Sequence, residues 1–412
     1  MRPTDLTGTP PPLLPGKRIV LGVSGGIAAY KAADLASFLV QRGVDLRVVM
    51  TESATRFVGP MTFEAITRNP VHRGVFDGWE GEDAGHVTLA ASANLVVVAP
   101  ATANTIARMA YGLADDMLSA TLLATGAPIV VAPAMEHHMW HHPATRANVD
   151  LLRSRGVTIV EPERGHLASG ASGDGRLAHR DRIVTAIRAR LAQGGPLANR
   201  KIVISAGGTH EAIDPVRFIG NRSSGQMGVA LAEAAFDLGA EVVTVAGPTV
   251  TSLPSVGRVE RIESAIELEA AVQREVEDAD ALVMSAAVAD FRPDEVAKSK
   301  IKKGPGTDAP VISLIRNPDI LASVNRHGLV KVGFAAETDD VLANAKAKLT
   351  SKQVDMIVAN EAVATIGSDQ SEAMLVLADG RVIELARMTK VELARIIVGQ
   401  IIALVGGERK RA

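Results

Sequence analysis

The sequence predicts an α/β protein made of two doubly wound, Rossmann-like domains, and three observations lead there. Apolar runs rich in valine and isoleucine alternate with alanine-rich helical stretches, the pattern of parallel strands covered by helices on both faces. That pattern breaks once, at LAQGGPLANR, and then restarts. The two halves also open almost alike, with KRIVLGVSGG and RKIVISAGGT, so the same architecture is expected twice.

In chain order, residues 1–16 are proline-rich, hold too short an apolar core for a signal peptide, and read as a disordered lead into a cytoplasmic protein. The first domain, 17–193, draws strands from RIVLGVS, DLRVVMT, NLVVVAPA, PIVVAPAM and VTIVEP. A linker is expected at 194–199. The second domain, 200–412, draws strands from KIVISAGGTH, AEVVTVAGPT, RVERIES, ALVMSAAVADF, VKVGFAAET and DMIVANEA. Near its end Asp379-Gly380, set between alternating apolar residues, signals a hairpin.

Composition narrows the function. A formal charge of -2 over 412 residues, with the basic side chains dispersed, gives no nucleic-acid groove and no membrane-surface patch. No apolar run reaches the length of about 18 residues needed to span a membrane, so small-molecule substrates are expected. The chain has no cysteine, which excludes disulfides, thiolate metal sites and a cysteine nucleophile.

In open sheets of this kind ligands sit beyond the carboxyl ends of the strands. There the first half offers Ser24, Gly25 and Gly26, followed by a helix opening near Ile27 and Ala28. The turn is neither GxGxxG nor a Walker loop, so a mononucleotide phosphate against the backbone and helix N-terminus fits it; glycines kept only for packing are the alternative. Thr51, APATANT at 99–105 and APAM at 132–135 add hydroxyls and amides without a charge cluster, which suits a flat polar ring with one phosphate. Flavin fits that better than a triphosphate. His86, in EDAGHVTLA, reads as a base or proton relay beside a flavin, or as a structural loop histidine. In PAMEHHMWHH the pairs His137/His141 and His138/His142 face different sides of a helix and no HExxH occurs, so a polar helix end is expected there and no metal.

The second half concentrates Arg217, Asn221, Arg222, Ser223, Ser224 and Gly225 in DPVRFIGNRSSGQMG, leading into a helix. SAAVADF delivers Asp290 at a strand end, and KSKIKKG follows with Lys298, Lys300, Lys302 and Lys303. A lysine cluster is commonly a solvated face; after a strand-end aspartate it reads as a triphosphate clamp. Lys300 would then neutralise charge as pyrophosphate leaves, and Asn221 would hydrogen-bond an acyl intermediate.

Together GVSGGIAAYK, APATANT, PAM, DPVRFIGNRSSG, AAVADFRP, KIKK, NPDI and GFAAET closely resemble, in order and spacing, the bacterial bifunctional phosphopantothenoylcysteine decarboxylase and phosphopantothenate-cysteine ligase of coenzyme A biosynthesis. The resemblance covers residues 17 to about 400. It implies a flavodoxin-like flavoprotein domain followed by a nucleotide-binding ligase domain. FMN contacts are implied at Ser24, Gly25, Gly26, Ile27, Ala28, Thr51, Pro100, Ala101, Thr102, Ala103 and Asn104, with His86 catalytic. CTP contacts are implied at Asp290, Lys300, Pro318, Asp319, Ile320, Leu321, Phe334, Lys348 and Lys352, with Asn221 acting on an acyl-cytidylate. Met135 and Arg217 are implied to touch the other substrates, 4'-phosphopantothenate, cysteine and their amide product. Mg2+ is implied with CTP, as is a cytoplasmic homo-oligomer, a dodecamer built from trimers and dimers.

Two positions depart from the family pattern. Ser169 stands where many members carry a flap cysteine as proton donor, so His166 or water is expected to deliver the last proton. Glu136 stands where many have asparagine after PAM, and its charge would repel a substrate carboxylate unless protonated or turned away. A ligase with a repurposed flavoprotein half, or a non-catalytic binding protein on the same fold, are the alternatives.

Overall fold

The computed structural model describes residues 9–75, 85–166, 170, 172–302, 311–337, 340–361 and 368–406. The chain divides into two compact units, Pro12–Ala192 and Gln193 onward, the second also taking in residues 9–11.

In the first unit β1 (Arg18–Val23), β2 (Asp45–Met50), β3 (Val71–His72), β4 (Leu95–Ala101), β5 (Ile129–Pro133) and β6 (Thr158–Ile159) form one parallel sheet in the order β3-β2-β1-β4-β5-β6. Every residue of β4 is buried, as a strand covered on both faces requires. Helix Ala29–Val40 shows why the alanine-rich stretches pack there: Ala29, Ala32, Leu35, Ala36 and Leu39 recur at helical spacing and are all buried. A hairpin of β7 (Glu163–His166) and β8 (Ser172–Arg176) follows the sheet. Leu14, within the lead expected to be disordered, is buried in the first core.

The second unit repeats the plan. Its strands are β9 (Lys201–Ala206), β10 (His210–Ala212), β11 (Phe218–Gly220), β12 (Glu241–Ala246), β13 (Arg258–Arg261), β14 (Ala281–Met284), β15 (Phe291–Pro293), β16 (Leu314–Arg316), β17 (Val330–Glu337), β18 (Met356–Glu361), β19 (Gln370–Leu377) and β20 (Val382–Thr389). The main sheet runs β13-β12-β9-β14-β17-β18-β19-β20, parallel through β18, with β19 and β20 antiparallel. The expected hairpin at Asp379-Gly380 joins the last two strands, with Gly380 at φ +90°. Pairs β10-β11 and β15-β16 stand apart from the sheet. Within the expected linker, Leu197 is buried in the second core, so packing begins before Arg200.

In both units the order reverses beside the first strand, between β1 and β4 and between β9 and β14. A doubly wound sheet leaves its ligand crevice at that switch point. Among the described residues no helix is long and apolar enough to cross a membrane.

Candidate functional site

In the first unit the switch point is closed by one hydroxyl. Ser24, 1% exposed at the end of β1, donates to the Pro100 carbonyl at 2.7 Å and accepts the Thr102 N–H at 2.9 Å. Thr102 and Thr51 in turn cap helices Ala103–Tyr111 and Glu52–Thr55, each accepting a backbone N–H at 3.3 Å. The loops after β1, β2 and β4 are thus stitched into one rim carrying Ser24, Gly25, Gly26, Ile27, Ala28, Thr51 and Pro100 to Asn104. Gly25 is obligatory there: a Cβ would lie 2.3 Å from the Ser53 Cβ and 2.8 Å from its backbone carbon.

His86, expected in a loop, is the second residue of helix Gly85–Ser92. That helix ends where Asn94 N–H donates to the Arg18 carbonyl at the start of β1, so its first turn lies toward the opposite, carboxyl edge of the sheet. Among the described residues His86 Nδ1 is buried without a hydrogen-bond partner.

Met135 follows β5 and ties it to the hairpin, its N–H donating to the Gly175 carbonyl at 3.0 Å. Glu136 is turned away from the role feared for it. Its carboxylate caps helix His137–His141, accepting the N–H groups of His138 at 2.7 Å and Met139 at 3.3 Å and facing the His138 ring at 3.0 Å. Burial would raise its pKa, but these hydrogen bonds outweigh burial and hold it below the usual carboxylate range. Ser169 lies outside the described residues, and His166 Nδ1 sits 3.3 Å from the Ser172 hydroxyl.

His137, His141 and Asp174 offer ligand atoms within 4.8 Å of one another. However, His137 Nδ1 accepts the Asp174 N–H at 3.1 Å, which puts that ring's proton on Nε2, and His141 Nε2 meets Asp174 Oδ2 at 2.9 Å. The group ties the helix to the hairpin.

In the second unit the carboxyl edge opens into a cavity of about 490 Å³. Asn221, Asp290, Pro318, Asp319, Ile320, Leu321, Phe334, Lys348 and Lys352 all line it. Asn221 Nδ2 donates to the Val288 carbonyl at 2.7 Å, and among the described residues its second amide hydrogen and its oxygen make no further hydrogen bond. Asn317, overlooked in the sequence although NPDI was noted, joins two of the loops: its Nδ2 donates to the Ala289 carbonyl at 2.8 Å and its N–H to the Asp290 carbonyl at 2.9 Å. Asp319 caps the short helix Ile320–Ser323 and meets Lys352 Nζ at 3.2 Å.

Arg217 and Lys300 are not brought to the cavity wall. Arg217 is spent on its own neighbourhood, its guanidinium donating to the Asp214 carboxylate and to the Ile301 carbonyl at 3.3 Å each. Asp214, 2% exposed, explains the arrangement. Its Oδ1 accepts the N–H groups of Val216 at 2.8 Å and Arg217 at 2.9 Å, and its Oδ2 accepts the N–H of Ile301 at 3.1 Å. Burial would raise this carboxyl, but those N–H groups and the guanidinium prevail and lower its pKa. One buried carboxylate therefore clasps the exposed Lys300 segment to the Asn221 loop. Lys303 lies outside the described residues.

Residues 9–192 match the family model described as Flavoprotein, and residues 197–404 match that of the DNA/pantothenate metabolism flavoprotein C-terminal domain. The Coenzyme A biosynthesis bifunctional protein CoaBC of Mycolicibacterium smegmatis is 45% identical over 94% of this chain and 97% of its own. That of Bacillus subtilis is 43% identical over 95% and 98%. The chain belongs to this family of coenzyme A biosynthesis bifunctional proteins. It is a flavoprotein decarboxylase and a ligase in one polypeptide. A crystal structure of a CoaBC C-terminal domain is 40% identical, covering 52% of this chain and 98% of its own, with a TM-score of 0.45.

Proposed function

We propose that the ligase unit joins 4'-phosphopantothenate to cysteine using CTP, and that the flavoprotein unit then decarboxylates the product to 4'-phosphopantetheine using FMN. The observation that carries this reading is a contrast of sites within the family. The rim after β1, β2 and β4 offers hydroxyls and close backbone around Ser24 and Gly25, while the other cavity is walled by Asp290, Asp319, Lys348 and Lys352.

In the ligase, a carboxylate oxygen of phosphopantothenate attacks the α-phosphorus of CTP and pyrophosphate leaves. The cysteine amine then attacks the acyl carbon of the cytidylate and CMP leaves, giving the amide. Lys348, Lys352 and the tethered Lys300 offset the charge of the triphosphate and of departing pyrophosphate, with Mg2+ carried by the nucleotide. Asn221 hydrogen-bonds the acyl intermediate with the amide groups it has free. Arg217 acts by holding the lysine segment.

In the decarboxylase, bound FMN supplies the electron sink, oxidising the cysteine-derived sulfur so that the carboxylate can depart as carbon dioxide and returning the electrons afterwards. The backbone around Gly25 and Gly26 receives its phosphate, and Thr51 with Pro100 to Asn104 orients its ring. His86 Nδ1 holds or moves a proton at the substrate, Met135 covers it, and His166 or water delivers the last proton. Glu136, committed to its helix, leaves the substrate carboxylate unopposed.

The test uses purified protein with phosphopantothenate, cysteine and CTP, following pyrophosphate and carbon dioxide separately. Both should appear, and a colourless protein that ignores CTP would refute the proposal. Asn221→Asp should abolish amide formation yet still decarboxylate supplied phosphopantothenoylcysteine.

A further inference from the structure

The ligase cavity has two walls, because successive side chains of β17 and β18 point to opposite faces of the sheet. Ala335, Ile357 and Ala359 join the core that holds Ile320, Leu321 and Leu349. Phe334 and Val358, paired in register, join the opposite core with Ala373 and Leu393. The lysines of the expected clamp, Lys348 and Lys352, come from the Val341–Ser351 helix and its C-cap, on the first wall. The second wall contributes Gln226, Ser371 and Lys390, none of which the sequence marked.

These three groups converge for a reason. Gln226 opens helix Gln226–Asp237, and Lys390 opens helix Lys390–Gly406, so both helices start at this edge of the sheet. Lys390 Nζ donates to Gln226 Oε1 at 3.0 Å, and Gln226 Nε2 donates to Asp369 Oδ1 at 2.9 Å. The aspartate therefore fixes the amide with its oxygen toward the lysine. An ammonium has three hydrogens, and the amide takes one. Ser371, 3% exposed, lines the same wall and makes no side-chain hydrogen bond among the described residues. Burial lowers the Lys390 pKa, opposed by Asp369, as expected of a cation held out of bulk water.

We propose that Lys390 and Ser371, with Lys390 oriented by Gln226, bind a phosphoryl group of a ligase substrate. An ammonium and a hydroxyl, beside the positive ends of two helix dipoles, form a donor-rich wall suited to the many oxygens of a phosphoryl group. The inference rests on the ligase reading above, in which two substrates bring such groups: the triphosphate of CTP and the phosphomonoester of phosphopantothenate.

The experiment compares the full chain with Lys390→Gln, Lys390→Arg and Ser371→Ala, measuring KM for each substrate and the calorimetric Kd of CTP and of phosphopantothenate. Loss of a charged hydrogen bond predicts a rise of about 10- to 100-fold in one of these constants for Lys390→Gln, largely restored in Lys390→Arg. A rise confined to CTP assigns the triphosphate. A rise confined to phosphopantothenate, with binding of unphosphorylated pantothenate unchanged, assigns the phosphomonoester. A rise for cysteine alone, or unchanged constants with the unfolding temperature lowered, overturns the proposal and leaves Lys390 as a tie between helices. If Lys390→Gln does not fold, Ser371→Ala tests the same wall, and an unaltered Kd for both ligands sinks the idea. Failure of the ligase reading is seen separately, as wild-type protein that releases no pyrophosphate; the binding constants still decide this site.

Discussion

The two units share a strand order and a device at the switch point, and differ in how that device is divided. In the flavoprotein unit a single hydroxyl, Ser24, both donates to and accepts from the end of β4. In the ligase unit the work is split: Ser205 accepts the Ala286 N–H at 3.0 Å, and Thr209, four residues later, accepts the Ala289 N–H at 3.0 Å. Both hydroxyls are fully buried. Splitting the staple keeps the chain after β9 bound to the chain after β14 for longer, which carries Asn221 and Asp290 out to a cavity of about 490 Å³. The same topology therefore serves a compact coenzyme rim in one half and a broad crevice for several substrates in the other.

The sharpest way to break this comparison is to fill the compact rim. Gly25→Val places a branched side chain where even a Cβ would stand 2.3 Å from Ser53, and the clash is partly with backbone. Bound FMN, measured by absorbance of the purified protein, should fall to background. Pyrophosphate release from CTP should stay within about twofold, because Gly25 and the ligase cavity belong to different compact units and sites without shared partners couple by no more than about 0.5 kcal/mol. Equal loss of both activities would show that the halves do not act independently.

A smaller effect is expected from Asp214→Asn. The asparagine oxygen can still accept from Val216 and Arg217, but its NH2 group cannot accept from Ile301, so the turn survives and the lysine segment is released. Ligase kcat should drop on the order of 10- to 100-fold, the cost of about 1.4 to 2.7 kcal/mol in positioning, with decarboxylation unaffected. The lowered pKa also sets a pH window. A depressed carboxyl contributes stability that is present above its unfolded value of about 3.9 and lost as pH falls through the folded one. The stability difference between wild type and Asp214→Asn should accordingly be constant near neutrality and vanish only in acid, below that unfolded value, as followed by thermal unfolding monitored through CTP binding.

Much of this was legible in the sequence where local pattern and topology coincide. The valine-rich runs became the sheet strands because a strand covered on both faces needs side chains that are apolar throughout, and the strand ends then had to carry the site. Asn221 and Asp290 were singled out in that way, whereas Lys348 and Lys352 entered only through the family resemblance. The tie between Arg217 and the Lys300 segment was not legible, because a charged side chain does not announce its partner: only the fold shows Asp214 buried between them. Lys390 was missed because it follows an antiparallel strand, not one of the parallel strands whose ends were searched. Its one signal was the Thr389-x-x-Glu392 spacing of a capping box, which marks a helix start at that point.

The smallest expected effect tests the staple itself. Ser24→Ala removes one donor and one acceptor at a buried position: it orphans the Thr102 N–H and leaves the Pro100 carbonyl with only the longer bond from the Ser24 N–H at 3.3 Å, whereas Ser205→Ala orphans only the Ala286 N–H. A buried group left without its partner costs about 1–3 kcal/mol, so the first change should destabilise its unit more than the second destabilises the other. Each unit can be followed by itself. Both tryptophans, Trp79 and Trp140, belong to the flavoprotein half, so their fluorescence reports its unfolding, while loss of CTP binding reports the ligase half. Restoring the hydroxyl as Ser24→Thr should recover part of the loss if hydrogen bonding is its cause. If Ser205→Ala proves the more damaging of the two, the staple is not shared out as the hydrogen bonds indicate, and the breadth of the ligase crevice needs another origin.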